Sequence, residues 1–77
     1  MIPEEYKKYF WDCDFKTLDW EKHKIYITER ILMFGNIDSV RWLQNLLKPA
    51  EMLVIVRKSA IIDAKTRNYW EIMLNND

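Results

Sequence analysis

"PAEMLVIVRKSA", residues 49–60, is the stretch on which the fold class turns. Met52, Leu53, Val54, Ile55 and Val56 form five consecutive apolar residues, three of them β-branched, and by propensity alone they suit a short strand. The flanks argue for a helix. Pro49 suits a first helical turn, Glu51 follows it, and Arg57-Lys58 close the segment, the charge order that complements a helix dipole. No neighbouring segment offers a partner strand, and one glycine with two prolines leaves little material for hairpin turns. Residues 50–58 therefore read as a buried helix, and the chain as all-α.

The segments on either side fit that reading. In "DWEKHKIYITERILMFG", residues 19–35, Asp19 is placed to cap a helix, Glu21 lies in its first turn and Gly35 ends it. Trp20, Ile27, Ile31 and Phe34 recur at spacings of seven, four and three, which predicts a helix over 20–34 with these residues on one face. Ile25 and Leu32 add an adjoining strip, so the apolar surface is broader than one neighbour needs. A second helix, over 38–47, has Asp38 or Asn36 as its cap and Val40, Leu43 and Leu47 as its face, and Lys48-Pro49 makes a sharp corner after it. Asp63 opens a last helix that carries Thr66, Tyr69, Trp70, Met73 and Leu74 on one face. The prediction is a single domain over 1–77: an N-terminal aromatic strap (1–18), a core of about four short helices in a small bundle (19–74), and a polar tail (75–77) expected to fray.

Composition limits the function classes. Hydrophobic residues make up 49% of the chain and charged residues 31%, which suits a folded domain. A domain of this size buries only about 60% of the surface of its unfolded chain, so a partner interface would help it. Twelve basic residues balance twelve acidic ones, and no overall field draws the protein to nucleic acid or an anionic membrane. The most basic stretch, residues 57–70, carries Arg57, Lys58, Lys65 and Arg67 against Asp63 alone. One cysteine and one histidine exclude an internal disulfide and the usual four-ligand zinc sites within one chain. Without a signal-peptide pattern or an apolar run long enough for a membrane span, the expected location is the cytoplasm, with no membrane contact.

The stretch "YFWDCDF", residues 9–15, is the obvious place to look for chemistry, and it carries little. Asp12 and Asp14 are too few for a metal or acid–base centre, Cys13 and His23 have no spacing that implies geometry, and a lone Gly35 excludes a phosphate-binding loop. No catalytic, cofactor-binding or metal residues are expected. The strap should insert Phe10, Trp11 and Phe15 between helices while Asp12 or Asp14 meets Arg30 or Arg41 as a structural ion pair. Of the four tryptophans, at 11, 20, 42 and 70, a small bundle cannot enclose every one, and Trp11, Trp42 and Trp70 are the candidates for a partner-binding face. Arg57, Lys58, Lys65, Arg67 and Asn68 are the candidates for nucleic-acid contact.

Phe10-Trp11-Asp12-x-Asp14, Leu18-Asp19, Ile27-x-Glu29-Arg30-Ile31-Leu32, Gly35, Arg41-Trp42-Leu43, Lys58-Ser59 and Lys65-Thr66-x-Asn68-Tyr69-Trp70 occur in that order. This pattern resembles a family of small bacterial proteins often encoded beside nucleotidyltransferase-type toxins of the abortive-infection kind. The chain departs from it after Lys58-Ser59, where Ala60-Ile61-Ile62 replaces a more basic stretch. The resemblance implies a helical companion protein, an antitoxin or accessory of such a toxin, and carries no enzymatic residues over. The expected function is thus a non-enzymatic interaction module with a protein partner. A helix-turn-helix DNA-binding regulator is the alternative, and a homo-oligomer is compatible with either.

Overall fold

Met52 and Val56 are fully buried while Val54, midway between them, is 51% exposed. A strand would put all three on one face, whereas a helix brings Met52 and Val56 together and turns Val54 outward. The computed structural model describes residues 2–75 and holds four α-helices and, among those residues, no strand. They are α1 (Trp20–Phe34), α2 (Ile37–Gln44), α3 (Pro49–Lys58) and α4 (Ala64–Asn75), preceded by two 3-10 helices, Glu4–Phe10 and Phe15–Thr17. The all-α class stands. Of the tail expected to fray, Asn75 closes α4, while Asn76 and Asp77 lie outside the described residues.

Local chemistry sets the helix ends. The Asp19 carboxylate accepts from the Glu21 N–H to open α1, and the Asn36 side chain accepts from the Ser39 N–H at 3.0 Å to open α2. Asn36, rather than Asp38, is the cap, so α2 begins earlier than the apolar spacing suggests. Pro49 occupies the first turn of α3, where the Lys48 N–H donates to the Glu51 carboxylate. Gly35 is the C-cap of α1, and crowding requires a glycine there. Its backbone is extended (φ −76°, ψ 172°), but an added Cβ would lie 2.6 Å from the Ile31 carbonyl oxygen and against Ser39 Oγ.

α1 is the hub, packing on α2, α3, α4 and the first 3-10 helix, while α3 and α4 form the most extensive helix pair. The predicted face of α1 is only partly used as expected. Ile27 and Ile31 are fully buried, Trp20 is half-buried and Phe34 is exposed. His23 leaves the helical region (φ −121°, ψ 26°), so the first turn is out of register with the rest. Leu32, Val40, Leu43, Met52 and Val56 add to the core from the helices, Leu47 and Ile62 from the turns after α2 and α3, and the N-terminal segment contributes Ile2, Tyr6, Tyr9 and Phe10.

Two polar residues join the α3–α4 turn to the rest. The Ser59 hydroxyl donates to the buried Glu29 carboxylate of α1 and accepts from the N–H groups of Ile61 and Ile62. The Arg67 guanidinium donates to the carbonyls of Val56, Ser59 and Ile62 at 2.9–3.2 Å, satisfying acceptors at the end of α3 and in the turn that follows it.

Candidate functional site

Arg30 organises the N-terminal aromatic stretch. The side chain is nearly buried, its Nε donates to the Tyr9 carbonyl and its Nη1 to Asp12 Oδ2, each at 3.0 Å. The guanidinium lies over the Trp11 ring at 4.1 Å, with the Phe34 and Tyr26 rings at 5.2 and 5.5 Å. Its Nη2 has no hydrogen-bond partner, and cation–π attraction to the surrounding rings offsets part of that cost. The other Asp12 oxygen accepts from the Tyr26 hydroxyl at 2.9 Å.

These contacts correct one detail of the expected strap and select among its ion-pair alternatives. Trp11 is 65% exposed and covers Arg30 from outside, with its ring edge-on to Phe34 of α1, because it falls in the turn after the 3-10 helix rather than between helices. The ion pair is Asp12–Arg30. Asp14 instead opens the second 3-10 helix by accepting from the Lys16 N–H, and Arg41, exposed on α2, forms no ion pair among the described residues. Cys13 is exposed and has Phe10 and Tyr26, rather than His23, as hydrogen-bonding neighbours. Among the described residues no group of three His, Cys, Asp or Glu side chains could hold a metal ion.

The Tyr26 hydrogen bond, and then the Arg30 contacts, hold the Asp12 carboxyl below the usual carboxylate range. A depressed folded-state pKa adds stability that is present above the unfolded value and is lost as pH falls through the folded one. The melting temperature should therefore fall more steeply below about pH 4 in the parent than in Asp12→Asn. Part of the acid dependence should survive in the variant, because Thr66 likewise holds down Asp63, the residue that caps α4. Equal slopes in a pH series of thermal melts would contradict a stabilising role for the ionised Asp12.

The second feature is a groove of about 600 Å³ between α2 and α4. Both helices pack on α1 but not substantially on each other. Leu32 and Met33 of α1 lie between the two walls. Ile37, Val40, Arg41 and Gln44 line the α2 wall, spaced as one helical face, and Lys65, Thr66, Tyr69, Trp70 and Met73 line the α4 wall. Ile37, Tyr69 and Met73 are 68%, 53% and 53% exposed, and α4 has no buried residue along the described length. The face that the periodicity assigned to α4 is thus divided: Trp70 and Leu74 pack partly on the core, while Tyr69 and Met73 stand open.

The tryptophans fall in separate places. Trp70 lines the groove and donates its Nε1–H to the Leu32 carbonyl at 2.9 Å. Trp42 is half-buried between the Tyr6 and Trp20 rings, and Trp11 belongs to the Arg30 cluster, so neither lines the groove. The basic candidates are also dispersed. Arg67 is engaged with backbone carbonyls, Arg57 faces Glu71 at 3.9 Å, Lys65 borders the groove, and Lys58 and Asn68 are exposed. Sequence reasoning missed Ile37 and misassigned Arg41; the signal was the run Ile37, Val40, Arg41, Gln44, a second α2 face beside the core one.

Residues 6–53 match the profile of a family of unknown function (DUF6922), more than half of the chain, and the protein belongs to that family. The matched span contains the Asp12–Arg30 cluster and the α1 and α2 sides of the groove but not α4. No curated protein and no solved structure matches the chain. Among the described residues no helix is long and apolar enough to cross a membrane.

Proposed function

We propose that this protein is a non-enzymatic interaction module, the antitoxin-like or accessory companion of a nucleotidyltransferase-type toxin, and that the α2–α4 groove receives its partner protein. The observation supporting this reading is the row of open apolar side chains, Ile37, Tyr69 and Met73, on two helices that leave a gap above α1. Exposed apolar surface arranged around a concavity is the ordinary mark of a protein-binding site. The identity of the partner rests on the family resemblance of the sequence motifs. In the same reading the first 18 residues act as an aromatic strap that closes a four-helix bundle, with its own Tyr6, Tyr9 and Phe10 buried in the core. The DNA-binding alternative has less to draw on, since Arg67 serves the α3–α4 turn and Arg57 faces an acid.

A tagged pull-down from native cytoplasm, with mass spectrometry and a nuclease-treated control, tests the proposal. A nucleotidyltransferase should co-purify in stoichiometric amount and survive nuclease, and Tyr69→Glu, a change at an exposed position, should abolish its capture. Recovery of DNA alone, lost on nuclease treatment, would overturn the proposal in favour of the regulator.

A further inference from the structure

Resting on the reading of the groove as a docking site, we infer that its occupant is an acidic amphipathic helix of the partner protein. The shape of the groove asks for a helix. Each wall is one helical face about two turns long, at a rise of about 1.5 Å per residue, and the α4 wall presents Lys65, Tyr69 and Met73 as an i, i+4, i+8 row. Two such rows separated by a gap over a third helix offer the site for one more helix, packed by its ridges. An extended peptide would need free backbone donors and acceptors, which helical walls do not supply.

The charge of the groove decides which helix. Its lining includes two ionic side chains, Arg41 on the α2 wall and Lys65 on the α4 wall, and no acidic one. Among the described residues neither is in an ion pair; those formed are Arg30–Asp12 and Arg57–Glu71. A helix lying between them places its apolar stripe on Met33, Ile37, Tyr69 and Met73 and its two flanks under opposed cations. Acidic residues on both flanks satisfy these cations, whereas basic flanks bring like charges together at the border of an apolar contact, which is costly. A second copy of the chain fits less well, because a two-fold pairing through this groove would set two identical cationic rims, each carrying Arg41 and Lys65, against each other.

The test uses the full chain, labelled with 15N, and synthetic amphipathic helices of about four turns that share a leucine stripe and differ only in flanks of Glu, Gln or Lys. The Glu peptide should bind saturably and shift amides of residues 37–44 and 65–73, at least about tenfold more tightly than the Lys peptide. In the double variant Arg41→Glu, Lys65→Glu, both at exposed positions, the preference should invert. Equal affinities for the three peptides, shifts confined to other faces, a groove occupied by self-association in sedimentation equilibrium, or stronger shifts of the same amides by duplex DNA would each overturn the inference. The outcome is separable from that of the proposed function. Capture of the nucleotidyltransferase that is unchanged by the double variant would sink the acidic helix and leave the companion role intact; a Glu-peptide preference without a captured nucleotidyltransferase would do the reverse.

Discussion

Deletion of residues 1–15 is expected to abolish the cooperative thermal transition of the domain. The deleted segment supplies Ile2, Tyr6, Tyr9 and Phe10, four of the thirteen buried hydrophobic side chains among the described residues. Phe10 alone is 1% exposed, and its truncation to alanine should cost about 3–5 kcal/mol. A domain of this length has a total stability of roughly 4–12 kcal/mol, so losing all four anchors exceeds what it can bear. Deletion also uncovers the side of α1 on which the first 3-10 helix packs, where Phe10 meets the Tyr26 ring and Arg30 the Tyr9 carbonyl. Circular dichroism of the truncated chain should report residual helix without a sharp melt. An unchanged melting temperature would mean that the helices fold without the N-terminal segment.

Arg30→Ala should destabilise the protein by about 2–4 kcal/mol in urea unfolding, with Arg30→Lys recovering only part of the loss. The alanine variant strands the Tyr9 carbonyl, removes the cationic partner of Asp12, leaving it only the Tyr26 hydroxyl, and takes away the group on which Trp11, Tyr26 and Phe34 converge. Lysine keeps the charge but lacks the flat fork that donates to two acceptors while stacking on a ring. Because half of the Asp12 side chain is open to water, most of the effect belongs to packing and the Tyr9 contact, with the exposed half of the pair worth less. A change within about 0.5 kcal/mol would show that Arg30 merely decorates the surface.

What could be read from the chain, and what could not, divides along the line between local and tertiary chemistry. The bounds of α1 follow from Asp19 and Gly35, and those of α3 from Pro49 and the Arg57-Lys58 pair, because caps and end charges act within a turn of the backbone. Even the ambiguous run of residues 52–56 was decided by its flanks. Arg67 shows the opposite case. A basic residue among Lys65 and Asn68 reads as a phosphate contact, and only the fold brings Val56, Ser59 and Ile62 carbonyls to its guanidinium. Likewise Arg30 and Arg41 are equivalent partners for Asp12 until α1, rather than α2, is set against the N-terminal segment. The groove belongs to neither wall alone. It arises because α2 and α4 lean on α1 with space between them, and no periodicity within either helix encodes that space.

The most direct test of the docking role is site-specific photo-crosslinking in native cells, with a benzophenone side chain placed in the groove at Tyr69 or outside it at the exposed Val54. The expected result is one covalent adduct from position 69, containing a nucleotidyltransferase polypeptide linked through an acidic helical segment, and none from position 54. An adduct from position 54 with none from position 69 would contradict the docking role of the groove.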